Sequence, residues 1–421
     1  AGALLALALA FRLARRLAGA GPAGVLGGAV AAVALFLTPD WFQFAAHGSE
    51  APLAVAFMLW AIERHLDGRP GHTVVIGTLA CLLRPELFPF LALYGLWAWR
   101  AEPRLRPLLA GALLLLPLAW IGPEWFGSGA PLDGGAQARS EPAWSLSLAE
   151  RPWLRALERV HNHAGLPLEL LALVALVVAV ARRQRAVLAL AAAAAAEVVL
   201  FVAMTQAGFS GNPRYVLPAL TVGSVLAGVG AARLAEVLPT LAGGRAGAPW
   251  RLAGAAAALA ALALAGSGFL DGRVTRLEHE AHQVDVRMQL HRDLGRAVRE
   301  VGGAAAVRAL GSATSNRALH TRLAWELGVP MELVESLADY RVIFRSSREL
   351  LVGRVYMRGR AKFRQTLARV GSIRVYRRDG ISFPHQTREW EAIDRPFTRL
   401  LQGIDTRVHR GRIPGLRVVT R

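Results

Sequence analysis

Three short stretches bring together side chains able to do chemistry. The first runs from Thr38-Pro39-Asp40-Trp41 to His47-Gly48-Ser49-Glu50 and holds no Arg or Lys. Asp40 or Glu50 could act as a general base or position a hydroxyl group; equally, Asp40 could cap the next helix and Glu50 begin it. The second is Arg84-Pro85-Glu86, set between two apolar blocks. An arginine there can clamp a phosphate while Glu86 orients it or the substrate. A self-satisfied Arg–Glu pair closing a hairpin would use the same residues. The third is Gly208-Phe209-Ser210-Gly211-Asn212-Pro213-Arg214-Tyr215-Val216-Leu217-Pro218. This turn-rich stretch delivers Arg214 and Tyr215 to the mouth of the next helix. A permanently charged guanidinium suits a lipid-linked phosphate, although Tyr and Arg at helix ends also anchor proteins at membrane interfaces.

Other matches fall away on context. Gly19-Ala20-Gly21-Pro22-Ala23-Gly24 fits G-x-G-x-x-G, but no strand precedes it and Pro22 sits inside it, so it reads as a loop. His279-Glu280-Ala281-His282 is one residue short of H-E-x-x-H and reads as a solvated helix face. His161-Asn162-His163 falls in a long loop where it could touch substrate, yet two histidines without a matching carboxylate are a weak metal signal. There is no Walker A motif to support ATP use. The single cysteine, Cys81, excludes a disulfide framework or a cysteine metal site. No cofactor is implied, and a divalent cation stays open.

The elements that must position these residues are apolar. The 421 residues are 54% hydrophobic and 19% charged, whereas a soluble domain has about 25% charged. A purely soluble enzyme and a disordered chain are excluded. The formal charge is +19, yet Lys362 is the only lysine, and with the Ala, Gly and Leu excess this looks like the coding bias of a GC-rich bacterial genome. Apolar blocks fall at about 22–38, 51–66, 72–84, 86–99, 107–121, 168–181, 186–205, 216–234 and 251–270. Ala1 to Phe11 reads as the tail of one more, giving about ten membrane segments across residues 1–270. Several are shorter than the roughly 20 residues a bilayer needs, which is tolerated where helices line a protein cavity.

Arginines mark every second junction: Arg12, Arg15 and Arg16; Arg64 and Arg69; Arg100, Arg104 and Arg106; Arg182, Arg183 and Arg185; Arg233 and Arg245. The positive-inside rule makes these cytoplasmic. The junctions at 39–50, 84–86, 122–167 and 206–215 then face outward, with everything after Leu270. Because both flanks of 72–99 are basic, that stretch must be a hairpin turning at Arg84-Pro85-Glu86, where Pro85 and Pro89 fit a break. Trp41, Trp120, Trp125, Trp144 and Trp153 read as interface belts, or as aromatics lining a sugar site. Residues 271–421 carry 29 basic against 16 acidic side chains. They read as a small soluble α/β domain: a helix over 272–300 ended by Gly302-Gly303, a strand-like Ala305 to Leu310, a helix-like Asn316 to Leu327, and strand-like Tyr340 to Phe344 and Ile373 to Tyr376.

This arrangement resembles the GT-C superfamily of integral-membrane glycosyltransferases, a group that includes protein O-mannosyltransferase-like, aminoarabinose-transferase-like and arabinofuranosyltransferase-like enzymes. The likeness rests on the Thr38–Glu50 loop leading into a helix, on Leu83-Arg84-Pro85-Glu86, on the Arg-Tyr-x-x-Pro segment Arg214-Tyr215-Val216-Leu217-Pro218, and on a soluble domain after the last helix. It implies an all-α polytopic membrane bundle with a small C-terminal extracytoplasmic α/β domain, in a bacterial cytoplasmic membrane. It further implies a polyprenyl-phosphate-linked sugar donor, a cell-envelope glycan, lipid or protein acceptor, and no nucleic acid. Arg84, Arg214 and Tyr215 match positions contacting donor phosphate or lipid. The family's essential acid usually stands in the first outer loop, which would lie upstream of Ala1, so Asp40, Glu50 and Glu86 are the acids at hand. The rivals are a polymerase or ligase of lipid-linked oligosaccharides and a transporter or flippase. A transporter more often shows helical repeats and midplane charges; here there is no repeat, and apart from Glu197 the notable charges cluster at the edges.

Overall fold

A computed structural model describes residues 1–129, 131, 133–139, 145–241, 266–335, 340–348 and 363–378. They are mostly helical, with one small sheet. Two compact units are present, one covering Ala1–Glu280 and a second that starts at Ala281.

The first unit is built of α1 (Gly2–Ala18), α2 (Pro22–Phe36), α3 (Trp41–Ala46), α4 (Ala51–Leu66), α5 (Pro70–Leu83), α6 (Phe88–Ala101), α7 (Arg106–Ser128), α8 (Asp133–Ala138), α9 (Pro152–Ala164), α10 (Leu166–Ala181), α11 (Arg185–Gln206), α12 (Leu217–Leu241) and the start of α13 (Ser267–Glu300). Prolines stand in the first turn of α2, α4, α5, α9 and α10, where a missing N–H costs no helical hydrogen bond. Small residues set the closest packing. A Cβ on Gly27 of α2 would lie 2.6 Å from the carbonyl oxygen of Gly228 on α12, so those backbones touch, as small residues allow in apolar bundles.

The bundle has two chemically distinct ends. At one, Arg12 reaches Glu63 at 2.9 Å, Arg16 and Arg64 reach Asp67, and Arg233 binds Glu236 and the carbonyls of Leu17 and Ala18. The arginines at the ends of α1, α4 and α12 thus meet on one face, as their alternation predicts. Glu50 and Arg214 precede the opposite ends of α4 and α12. At 1.5 Å per residue, Glu50 lies about 20 Å along α4 from Glu63, and Arg214 about 28 Å along α12 from Arg233. That separation approaches the roughly 30 Å of a bilayer core.

The break at Arg84 is present. α5 stops at Leu83, Arg84 is extended, a 3₁₀ turn covers Pro85–Leu87, and α6 follows. The two helices run back along each other, since a Cβ on Gly77 would lie 3.0 Å from Leu91. Three helices among the described residues are long and apolar enough to cross a membrane: 103–126, 185–206 and 217–236. A fourth arises if α9 and α10, bent by 88°, count as one. Residues 251–265 of the ninth block lie outside the described residues. Trp41 corrects the interface-belt expectation, because it is 1% exposed in the core. Trp120, Trp125 and Trp153 are exposed, and Trp144 lies outside the described residues.

In the second unit, α13 ends at Glu300 and the left-handed Gly302 and Gly303 (φ 105° and 86°) turn the chain. Then come α14 (Gly303–Leu310), β1 (Ala313–Ser315), α15 (His320–Leu327), α16 (Glu332–Glu335), β2 (Val342–Ser346), β3 (Phe363–Val370) and β4 (Ile373–Arg378). The strand expected at Ala305 to Leu310 is a helix. Three successive alanines, the best helix formers, decide a run too short for periodicity to settle. The helix near 316–327 and the strands near 340–344 and 373–376 are present; β1 and β3 were unforeseen. The sheet order is β1-β2-β4-β3, with β1 parallel to β2 and the other pairs antiparallel. Leu290, Leu294 and Val298 of α13 pack in one core with Leu323, Phe344, Ile373 and Val375. Residues 379–421 lie outside the description.

Candidate functional site

Five of the six residues singled out by sequence converge. Arg84, pinned by the helix break and 4% exposed, is the hub. Its Nη1 donates to Glu50 Oε1 at 3.0 Å, and its Nη2 donates to the carbonyl oxygen of Arg214 at 2.5 Å. The same Nη2 lies 2.5 Å from Glu86 Oε1. This last approach is an ion contact without hydrogen-bond alignment, since no donor is aimed at that buried oxygen. Tyr215 presents its ring to both guanidiniums, with centroid distances of 5.2 Å to Arg84 and 5.3 Å to Arg214, which is cation–π range. Asn212 shapes the turn by accepting the backbone N–H of Arg214. Arg214 Nη1 stands 3.9 Å from Glu50 Oε1, and its side chain is 41% exposed.

The two arginines therefore differ. Arg84 is buried and bonds protein groups through both terminal nitrogens, so it organises the site. Arg214 is the cation still open to a ligand. The carboxylates differ too. Burial pushes Glu50 up, but its own backbone N–H, Arg84, Arg214 and the Ser49 hydroxyl together hold it below the usual range. Glu86 is raised, because burial outweighs the pull of Arg84.

These residues head a cavity of about 1330 Å³. Glu50, Arg84, Glu86, Arg214 and Tyr215 make its polar end; mostly apolar residues of α5, α6, α7, α8 and α11 make the rest, with one further carboxylate, Glu124 of α7. Its wall along α6 runs from Phe88 to Trp99, about 17 Å at the helical rise. Leu96 on α6 and Leu113 on α7 are 58% and 74% exposed, so the trough is open along its side.

Asp40 is elsewhere. It does not line this cavity. It sits in a left-handed conformation (φ 67°) at the N-cap of α3 but makes no capping bond. Its Oδ2 lies 3.3 Å from His163 Nε2 and its Oδ1 3.7 Å from Arg276, while its N–H donates to Glu280 Oε1 at 2.9 Å. Burial pushes this carboxyl up, yet His163, Arg276 and Arg159 bring it below its ordinary value. His163 Nδ1 is 2.8 Å from the carbonyl oxygen of Arg159. With both ring nitrogens engaged, the pair fastens the loop instead of offering a base to substrate.

The two histidine motifs look different in three dimensions. His161 and His163 lie on α9, not in a loop; His161 meets Glu169, eight residues further on, at 2.9 Å, and His163 meets Asp40, 123 residues away. Glu280, read as part of a solvated face, is 4% exposed. Spacing alone could not reveal that His163 and Glu280 both meet Asp40, which lies more than a hundred residues from either. No group of three or more His, Cys, Asp or Glu able to hold a metal occurs among the described residues. Comparison with family models, curated proteins and solved structures finds no match.

Proposed function

We propose that this chain is a membrane glycosyltransferase. It takes a sugar from a polyprenyl-phosphate donor and passes it to a cell-envelope hydroxyl acceptor at the outer face of a bacterial cytoplasmic membrane. The observation that carries the reading is the cavity whose polar end holds Arg214, Arg84 and Tyr215 and whose remainder is a mostly apolar trough open along its side. A phosphate with a long prenyl tail has that same division of chemistry.

In this reading Arg214 binds the donor phosphate and Tyr215 keeps its guanidinium in place. Arg84 holds the Arg214 backbone and Glu50 in register. The sugar–phosphate C–O bond breaks with its electron pair leaving on the phosphate, where the cations stabilise it. The acceptor oxygen bonds to the sugar carbon and gives up its proton to a carboxylate. Of the two carboxylates at the cavity's polar end, Glu86 is the better base, since a depressed carboxylate such as Glu50 is the weaker proton acceptor. No ATP is needed, because the phosphate is already a good leaving group.

The test is transfer of radiolabelled sugar from a bacterial polyprenyl-phosphate pool by the purified chain in liposomes. Label should move to a lipid, glycan or protein fraction in the wild type and not in Arg214→Ala. Label that stays on the donor in every acceptor mixture, or equal transfer by the two proteins, would refute the assignment.

A further inference from the structure

The cavity holds one carboxylate that the sequence did not single out. Glu124 is the only acid in the 103–126 span, and an ionisable side chain kept in a membrane segment points to a site. It ends the stripe of α7 that lines the cavity. Leu109, Leu113, Leu116, Trp120 and Glu124 follow one another three or four residues apart, which places them on one helix face.

The level of Glu124 follows from the way α6 and α7 lie side by side. A Cβ on Gly95 of α6 would meet Leu109 of α7 at 3.6 Å. Seven residues back along α6, the ring of Phe88 stands edge-on to Trp120 of α7, with centroids 6.5 Å apart. The two helices are therefore antiparallel. One more step in the same direction leads from Phe88 back to Arg84 and from Trp120 on to Glu124, about 6 Å along α7. Glu124 thus stands level with the Arg84-Pro85-Glu86 turn, on a different wall of the cavity. The Phe88–Trp120 ring pair marks where the polar end passes into the trough. A backbone contact holds the carboxylate there: Gly134 of α8 donates its N–H to Glu124 Oε1. Gly134, Gly135 and Ala138 line the same cavity.

Charge decides what this corner can take. A carboxylate repels a phosphate, so the phosphate belongs at Arg214 and not at Glu124. A carboxylate offers about four acceptor positions, of which Gly134 takes one, and neutral hydroxyl groups bind such positions through charge-assisted hydrogen bonds. The donor proposed above carries hydroxyls on one group only, the sugar bonded to its phosphate; its prenyl chain takes the trough. We propose that Glu124 is a specificity-determining residue that accepts hydroxyl groups of the donor sugar, and that the α7–α8 corner is the sugar subsite of this cavity. The assignment rests on the polyprenyl-phosphate donor of the preceding section.

The test is equilibrium binding to the purified full chain in nanodiscs, with no acceptor present. The probes are bare polyprenyl phosphate and polyprenyl phosphate carrying mannose, glucose or arabinose. The wild type should bind one of the sugar-bearing lipids more tightly than the bare one. Glu124→Ala should erase that preference and leave the affinity for bare polyprenyl phosphate unchanged. Glu124→Gln keeps an acceptor for the Gly134 N–H, so it should fold with an unchanged melting midpoint. It should still lose about 5–10-fold of the preference, the difference between a charged and a neutral acceptor. A preference that survives both substitutions, a loss that falls equally on the bare lipid, or a wild type that binds all four lipids equally overturns the sugar subsite and leaves the functional reading standing. A wild type that binds none of the four overturns the functional reading and the subsite with it.

Discussion

Replacing Arg84 by leucine should damage the fold more than any other single change at the site, and the reason can be worked through. Arg84 is 4% exposed, and Glu86 beside it is 6% exposed. Removing the guanidinium leaves Glu86 buried without its cation, which typically costs about 3–5 kcal/mol. Glu50 adds little, because its side chain is 37% exposed and can recover water. For a unit of this size each kcal/mol moves the midpoint by roughly 2–4 °C, so Arg84→Leu should lower it by roughly 6–20 °C. The double change Arg84→Leu/Glu86→Gln removes both charges and should recover about 2 kcal/mol or more of that loss. The assay is thermal unfolding in detergent of wild type, both single variants and the double variant, closed as a thermodynamic cycle. If Arg84→Leu falls within about 1 kcal/mol of wild type, or if Glu86→Gln deepens the loss in place of relieving it, the buried hub does not exist.

Other predictions follow from the same geometry. Asp40 has a folded value below its ordinary 3.8, so its stabilisation is complete above that value and fades as the pH falls through the lower folded one. Asp40→Asn should therefore lose stability at neutral pH and show a flatter acid limb in melting curves taken across pH 3–7. Gly228→Val should push α2 from α12 and cost about 1–3 kcal/mol by overpacking, read as a lower melting midpoint; unchanged melting would deny the backbone contact. Trp41→Ala should cost about 3–5 kcal/mol as a core deletion, against near-neutral for an interface anchor; tryptophan emission and melting check it together.

The hairpin at Arg84 was legible because two prolines and two basic flanks left few alternatives. Convergence of the arginine-rich helix ends was legible because charge alternates with apolar blocks. The site was half legible: Glu50, Arg84, Glu86, Arg214 and Tyr215 were chosen singly, as residues dear to place near a membrane. Nothing in the sequence said that Arg84 would bond the Arg214 backbone 130 residues away, or that one arginine would be buried and the other open. Asp40 belonged to the same loop as Glu50 but turned to His163 and Arg276, partners set by tertiary packing. Ala305 to Leu310 went wrong for a local reason, since six residues, five apolar and one Arg308, carry no usable period and alanine favours a helix.

The most direct measurement of the central claim is equilibrium binding of a polyprenyl phosphate, without sugar, to the purified chain in nanodiscs. Wild type, Arg214→Ala and Leu113→Trp should be compared, the last narrowing the trough on α7. The account predicts saturable binding to the wild type. Arg214→Ala should weaken it about 10–100-fold, the worth of a charge-assisted bond of about 1.5–3 kcal/mol, and Leu113→Trp should weaken it while leaving short-chain phosphates unaffected. Equal affinity across all three proteins, or no saturable binding to the wild type, would contradict the claim that this cavity is built for a lipid phosphate.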